Sequence, residues 1–519
     1  MRALWIPLGV AMAVACAFSL GGCGHTRIEG DLAAQHVLVF DGRGRMRLPG
    51  NPDVRLPPDA AEVQVAALID NWHSAFEEGE PRNLIIFIHG GLVGMRTGLG
   101  RVDQDLVRRV LDEGDRYPLF IVWQADLGPT YWDHLWNMRR GEPWRGVMGK
   151  TLTPFIFIAD IGGAVVRAPI NWATSLAGHL NAFPGFASPG MRDALAGHHE
   201  LTLRHRVSPD TSIEVSILDD RRTLGEEMHY LATGLITVPF KMALLPLLDG
   251  IGTPAWNNML RRTKMIFSEP FEEEIIMTAE EGRGALHLLA RAISEESASA
   301  RGEVEITLVG HSMGSIIANE FIRHYPDLHY RNIVYMAAAC SIQDFRDTVV
   351  PYLVNAERSG REAQFYNLML HPRAEVRERY IMIPPLGLDL VPRGALLAWI
   401  DDIFGSQTTP LERTMGRWHN IMRLWQFIPS EIRSRVHFKT FGVAAGEPIS
   451  ELTGFASVRR LFSNSEHREW LRENPQWHGD FSLMPWWNEE FWQPGVEGVP
   501  GRPEISTSVP AVRALRMNE

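Results

Sequence analysis

Cysteine is nearly absent from this chain: Cys16, Cys23 and Cys340 are the only three in 519 residues. That excludes a disulfide-stapled scaffold, so stability must come from a buried apolar core, for which the 45% hydrophobic and 22% charged fractions are ordinary. Positive charge is also in deficit, with 51 Lys and Arg against 62 Asp and Glu and a net charge of −11. This balance disfavours a nucleic acid partner and suits an uncharged or weakly polar substrate. There is no internal repeat, no low-complexity tract and no metal-ligand spacing of the HExxH or CxxC kind, so no metal or other cofactor is indicated. Beyond the N-terminus there is also no unbroken apolar run of the roughly 18 residues that a membrane-crossing helix requires. The two most apolar stretches, 152–180 and 231–256, are interrupted by Asp160 and Arg167, by Lys241 and Asp249, and by prolines. They read as buried helices, with a lid that touches lipid or an acyl substrate as the alternative.

What is present begins with an export signal. Residues 1–22 carry one charge, Arg2, then an apolar run, then small residues. The end of that segment, Leu20-Gly21-Gly22-Cys23, resembles the bacterial lipobox. The resemblance implies cleavage before Cys23, acyl chains on Cys23 and firm attachment to a membrane surface. Gly24 follows instead of an acidic residue, which in lipoproteins of Gram-negative bacteria resembles the default for outer-membrane sorting. A cell-envelope location is therefore expected, with 23–35 as a tether. With Cys16 removed and Cys23 acylated, only Cys340 would remain as a thiol.

Further along, the pattern alternates between strands and helices. Residues 36–40 read as a strand and 59–78 as an amphipathic helix. The run Asn83–Ile88 is continuously apolar and ends in His89-Gly90-Gly91, as expected of a strand buried on both faces of a parallel sheet. A helix over 102–111 and a strand over 118–123 complete a β-α-β unit. The next strand of this kind is 304–309. About 180 residues separate the two, far more than one crossover needs, which predicts an inserted, mainly helical cap over 127–302. Within it, 271–299 reads as a long helix leading back to the sheet. Strands follow at 332–337, 364–370 and 436–441. The fold class is therefore α/β, with a mostly parallel sheet and flanking helices over 36–126 and 303–493, and a C-terminal extension over 494–519.

The chemistry-bearing stretch is Gly310-His-Ser-Met-Gly314, which matches G-x-S-x-G. Small residues two before and two after the serine let a strained strand-to-helix turn close around it. Here the pattern follows a buried strand and opens an apolar-patterned helix. At this point the chain resembles the α/β-hydrolase superfamily of lipases, esterases and related acyl hydrolases. The resemblance implies that Ser312 is a nucleophile and that the backbone N–H groups of Gly91 and Met313 form an oxyanion hole, with His89 bracing the loop. It also implies a histidine after the last strand. His478, in the loop Trp477-His-Gly-Asp-Phe, fits that place, whereas His467 lies in the charged segment Ser-Glu-His-Arg-Glu and reads as a solvated face. The acid should lie between serine and histidine in chain order. Asp389, heading Asp-Leu-Val-Pro392, is the first choice, with Glu375 and Asp344 as the others.

The expected activity is that of a membrane-anchored serine hydrolase cleaving lipid-like or hydrophobic carboxylic esters through a Ser312–His478–Asp389 triad. An acyltransferase or thioesterase with the same triad, and a non-catalytic envelope binding protein, are the alternatives. The aromatic cluster around Trp486, Trp487, Phe491 and Trp492 reads as core packing, with an acyl-binding wall as the second reading.

Overall fold

The computed structural model describes residues 30–76, 83–139 apart from 103 and 114–115, 142–143, 151–181, 213–215, 232–267, 284–298, 304–370, scattered positions within 374–389, 391–441 and 475–493. Cys23, His467 and the 494–519 extension lie outside the described residues, as does most of 182–231 within the expected cap.

The strands are β1 (Val37–Phe40), β2 (Met46–Leu48), β3 (Asn51–Arg55), β4 (Asn83–Ile88), β5 (Arg116–Trp123), β6 (Met138–Arg139), β7 (Glu142–Pro143), β8 (Ile213–Val215), β9 (Glu305–His311), β10 (His329–Met336), β11 (Gln364–Leu370), β12 (Met382–Ile383), β13 (Leu388–Asp389) and β14 (Val436–Phe441). Ten of them form one sheet in the order β3-β2-β1-β5-β4-β9-β10-β11-β14-β8. The pairs from β1 to β8 in that order are all parallel, and only β2 and β3 at one edge run antiparallel. Central strands covered on both faces should be apolar without alternation. All six residues of β4 are buried, as are all residues of β9 and β11 after the first. Each large apolar side chain so buried stabilises the fold by roughly 1.5–3 kcal/mol relative to exposure.

The flanking helices include α1 (Gly30–His36), α2 (Pro58–Ser74), α3 (Met95–Arg101), α4 (Gln104–Glu113), α5 (Leu127–Trp136), α6 (Thr153–Asn181), α7 (Val238–Met265), α8 (Ala285–Ser297), α9 (Gly314–His324) and α10 (Ile342–Ser359). Helix α2 buries Ala61, Val65, Leu68, Ile69 and Trp72, the stripe its apolar spacing predicts, although Val63 points to solvent. The helix expected over 102–111 is α4, begun two residues later, and it is preceded by the short α3, at whose end Val102 takes a non-helical conformation. Of the long helix expected over 271–299, the described part is α8.

The segment between β5 and β9 is not wholly helical. It adds β8 to the sheet edge, where Ile213, Glu214 and Val215 pair with Phe438, Lys439 and Thr440. Its two long helices also differ from each other. Helix α7 buries fifteen residues along its length, whereas only 17% of the Thr153–Thr174 stretch of α6 is buried. The reading of 152–180 as a buried helix is thus corrected for α6.

Candidate active site

The turn from β9 into α9 carries Ser312, and its geometry follows from the residues around it. Ser312 adopts a φ of 52°, in the left-handed region that costs a side-chain-bearing residue about 1–3 kcal/mol unless the surroundings enforce it. Here they do. The Ser312 N–H donates to the Met336 carbonyl at 2.9 Å, and the Ser312 carbonyl accepts from the N–H groups of Ser315 at 3.1 Å and Ala339 at 3.0 Å and from the Ser315 hydroxyl at 2.6 Å. The glycines are needed for space. A Cβ on Gly310 would come within 2.8 Å of the Ser315 backbone, and one on Gly314 would collide with the Ile88 carbonyl. Gly90 has the same role from the other side, since a Cβ there would lie 2.8 Å from the Ser312 Cβ.

The loop after β4 is held by a neutral histidine. The Trp123 N–H donates to His89 Nε2 at 2.9 Å, so the proton must sit on Nδ1, which donates to the Gly90 carbonyl at 2.7 Å. Burial pushes the His89 pKa down to about 3, consistent with that neutral form. His89 therefore braces the loop. Gly91 packs directly on the Met313 side chain. Among the described residues the N–H groups of Gly91 and Met313 donate to no protein acceptor, and Met313 directly follows Ser312.

His478 stands over the turn. Its Nε2 is 2.9 Å from the Ser312 Oγ, and both residues are buried. The ring comes from a short 3-10 segment, His478–Leu483, fixed by Asp480, whose carboxylate accepts the N–H groups of Gln476 and Trp477 at 3.0 Å each. His311, the variable residue of the motif, donates from Nε2 to the His478 carbonyl at 3.0 Å. Burial holds His478 well below the ordinary histidine range, and nearby His311 adds to that shift. The resting imidazole is neutral and can accept the Ser312 proton.

Of the three acids expected, two are placed with described side chains. Asp344 is committed elsewhere, bound by Asn319 and Arg323 at the start of α10. Glu375 is tied to Arg417 Nε at 2.6 Å. Asp389 lies in the β12–β13 hairpin opposite Met382, with its side chain outside the described residues. The carboxylate brought to the histidine is that of Glu378, 3% exposed, whose Oε2 accepts the His478 backbone N–H at 3.1 Å. His478 Nδ1 is buried with no hydrogen-bond partner among the described residues. Glu378 shares the loop after β11 with Glu375 and was not among the carboxylates weighed from the sequence. Its position between Ser312 and His478 in the chain was the available signal.

Among the described residues no group of three or more His, Cys, Asp or Glu is placed to hold a metal ion. The aromatic cluster is core: Trp486 stacks on Phe87 at 4.2 Å, and Trp492 is fully buried against Tyr366. In comparisons with known proteins, the chain matches no family model, no curated protein and no solved structure.

Proposed function

We propose that this chain is a serine hydrolase with an α/β-hydrolase core and a largely helical cap, cleaving hydrophobic carboxylic esters. The observation that carries this reading is the 2.9 Å contact between Ser312 Oγ and His478 Nε2 on a turn whose backbone is held at positive φ. The strand order β1-β5-β4-β9-β10-β11-β14, with the serine turn after the central β9, supports the hydrolase-type core. The envelope tether at Cys23 rests on the N-terminal sequence and belongs to the same proposal.

A serine hydroxyl is a poor nucleophile near neutral pH, and the buried neutral imidazole supplies the missing base. Oγ attacks the ester carbonyl carbon while its proton moves to His478 Nε2. The carbonyl oxygen gains the negative charge and takes hydrogen bonds from the Gly91 and Met313 N–H groups, each worth about 2.7–4 kcal/mol of transition-state stabilisation in comparable sites. Collapse expels the alcohol, protonated by His478, and leaves Ser312 acylated. Water, deprotonated by the same imidazole, then releases the acid. We assign the triad carboxylate to Glu378, which already holds the His478 backbone N–H; turned onto Nδ1 it orients the ring and offsets the imidazolium charge in both halves.

A fluorophosphonate probe should label the wild-type chain and leave Ser312→Ala unlabelled under the same conditions. Equal labelling of the two would end the hydrolase reading. The pH profile is a second check. Because the neutral imidazole is the active form, kcat/KM should fall as pH drops through the His478 pKa, which burial holds well below 6.5. An acid limb with its midpoint above 6.5 would contradict the assigned base.

A further inference from the structure

The charged side chains described on α6 are paired with groups of the protein beneath it. Between Thr153 and Thr174 the only ones are Asp160 and Arg167. Asp160 Oδ2 accepts the Tyr131 hydroxyl at 3.2 Å and lies 3.1 Å from His134 Nε2. Arg167 places Nε and Nη2 on the two oxygens of the fully buried Asp249 of α7, each at 3.0 Å, and Asn171 donates to the same carboxylate. The opposite stripe, Phe155, Ile158, Val165, Val166 and Ile170 at helical spacing, is 55–79% exposed and has no polar member.

The stripe continues beyond the helix. Trp172 Nε1 donates to the Met242 carbonyl at 2.9 Å, which joins the later part of α6 to residues 235–242, where Ile236 is 68% and Phe240 46% exposed. At the other end Thr153 bonds the Leu135 carbonyl, next to the turn that carries Trp132, 60% exposed. Of the fourteen exposed large apolar side chains among the described residues, five lie on α6, four at 235–242 and one, Trp132, on α5, whose Tyr131 and His134 contact Asp160 of α6. A soluble monomer rarely leaves so large an apolar patch to water.

Pairing inward charges and presenting an unbroken apolar face outward is the arrangement a hydrocarbon neighbour demands. A water-facing helix would carry charges outside, and an interface between soluble proteins would carry a polar rim. Helix α6 packs lengthwise on α7, through Arg167 and Asn171 on Asp249 and Trp172 on the Met242 carbonyl, and α7 packs in turn on α5 and α9 of the sheet layer, so α6 lies flat against the body of the protein with its apolar stripe outward.

We propose that the outer face of α6, together with the apolar positions of 235–242, seats on a lipid bilayer and lies in the plane of its interface. This contact is separate from any acyl chain on Cys23 and does not rest on the hydrolase reading.

The test uses the full chain with Cys16 and Cys23 replaced by serine, leaving only the buried Cys340, and with a fluorophore on Val166→Cys, reconstituted in vesicles of phosphatidylcholine and phosphatidylglycerol. The control label sits on Val63→Cys, on α2 and 69% exposed. A face buried about 5–10 Å into the interface should show roughly twofold or greater quenching of Val166 by a shallow doxyl lipid and weak quenching by iodide, with the reverse for Val63. Val166 remaining as open to iodide as Val63 would overturn the proposal. So would shielding that needs no vesicles, which would mean a cover from the chain itself, or excimer emission from pyrene at Val166, which would mean a second copy. Val165→Glu with Ile170→Glu, both on exposed positions, should abolish the lipid quenching of a label on Ile158→Cys. Retained quenching in that variant would also count against it. Hydrolysis of a soluble short-chain ester should be unchanged throughout, which separates this test from that of the active site.

Discussion

Ser312→Ala, His478→Ala and the double variant should each lower kcat on a chromogenic ester by about 10⁶-fold, with the double no worse than either single. Groups that act as one proton-relay unit lose their whole advantage when either is removed. Glu378→Gln should cost less, about 10⁴-fold, with KM little changed. The neutral amide keeps the shape of the side chain and can still accept the His478 N–H, but it loses the charge that favours the Nδ1–H tautomer and the imidazolium. Glu375→Gln should leave the shape of the pH profile intact, because that carboxylate faces Arg417. Independent, multiplicative losses at Ser312 and His478 would contradict the relay. Near-wild-type kcat in Glu378→Gln would return the acid to Asp389.

The parts of this arrangement legible in the sequence are those set by local rules. The buried parallel strand β4 shows as a continuous apolar run, and β4, β11 and β14 begin and end where the sequence pattern places them. The serine turn shows because its steric demands fall on Gly310 and Gly314, at fixed offsets from Ser312. His478 was legible as a histidine beside a glycine after the last strand. The contact of Glu378 with His478 was not, because it depends on how the loop after β11 folds in space. That loop is shaped by the Gly394 N–H bonding the Glu378 carbonyl and the Ala395 N–H bonding the Glu375 carbonyl, contacts with no trace in the local pattern. Helix α6 misled for a related reason. Its charges look like interruptions of a buried helix until their partners, His134 and Asp249, are seen to lie beneath it. Strand β8 is three residues long, too short to show any period.

Arg417→Met should destabilise the chain by about 3–5 kcal/mol, read as a lowered midpoint in chemical denaturation. The guanidinium is 11% exposed and holds Glu375 at 2.6 Å and Asp401 at 3.0 Å, with Asp402 at 3.7 Å. Burial opposes its charge, but these carboxylates keep its pKa above the ordinary value. Burial in turn raises the pKa of Glu375, against the pull of Arg417. Removing the cation leaves two buried carboxylates facing each other, which costs more than the net worth of the pair. Much of the loss should therefore return in the triple variant Arg417→Met, Glu375→Gln, Asp401→Asn, which leaves no uncompensated charge. The same cluster anchors the loop that carries Glu378, so Arg417→Met should also lower kcat in folded protein, with the drop smaller than that of Glu378→Gln. A stability loss under about 1 kcal/mol would mean that water reaches the cluster and screens it as at a surface. A triple variant no more stable than Arg417→Met would instead assign the loss to packing of the Arg417 stem.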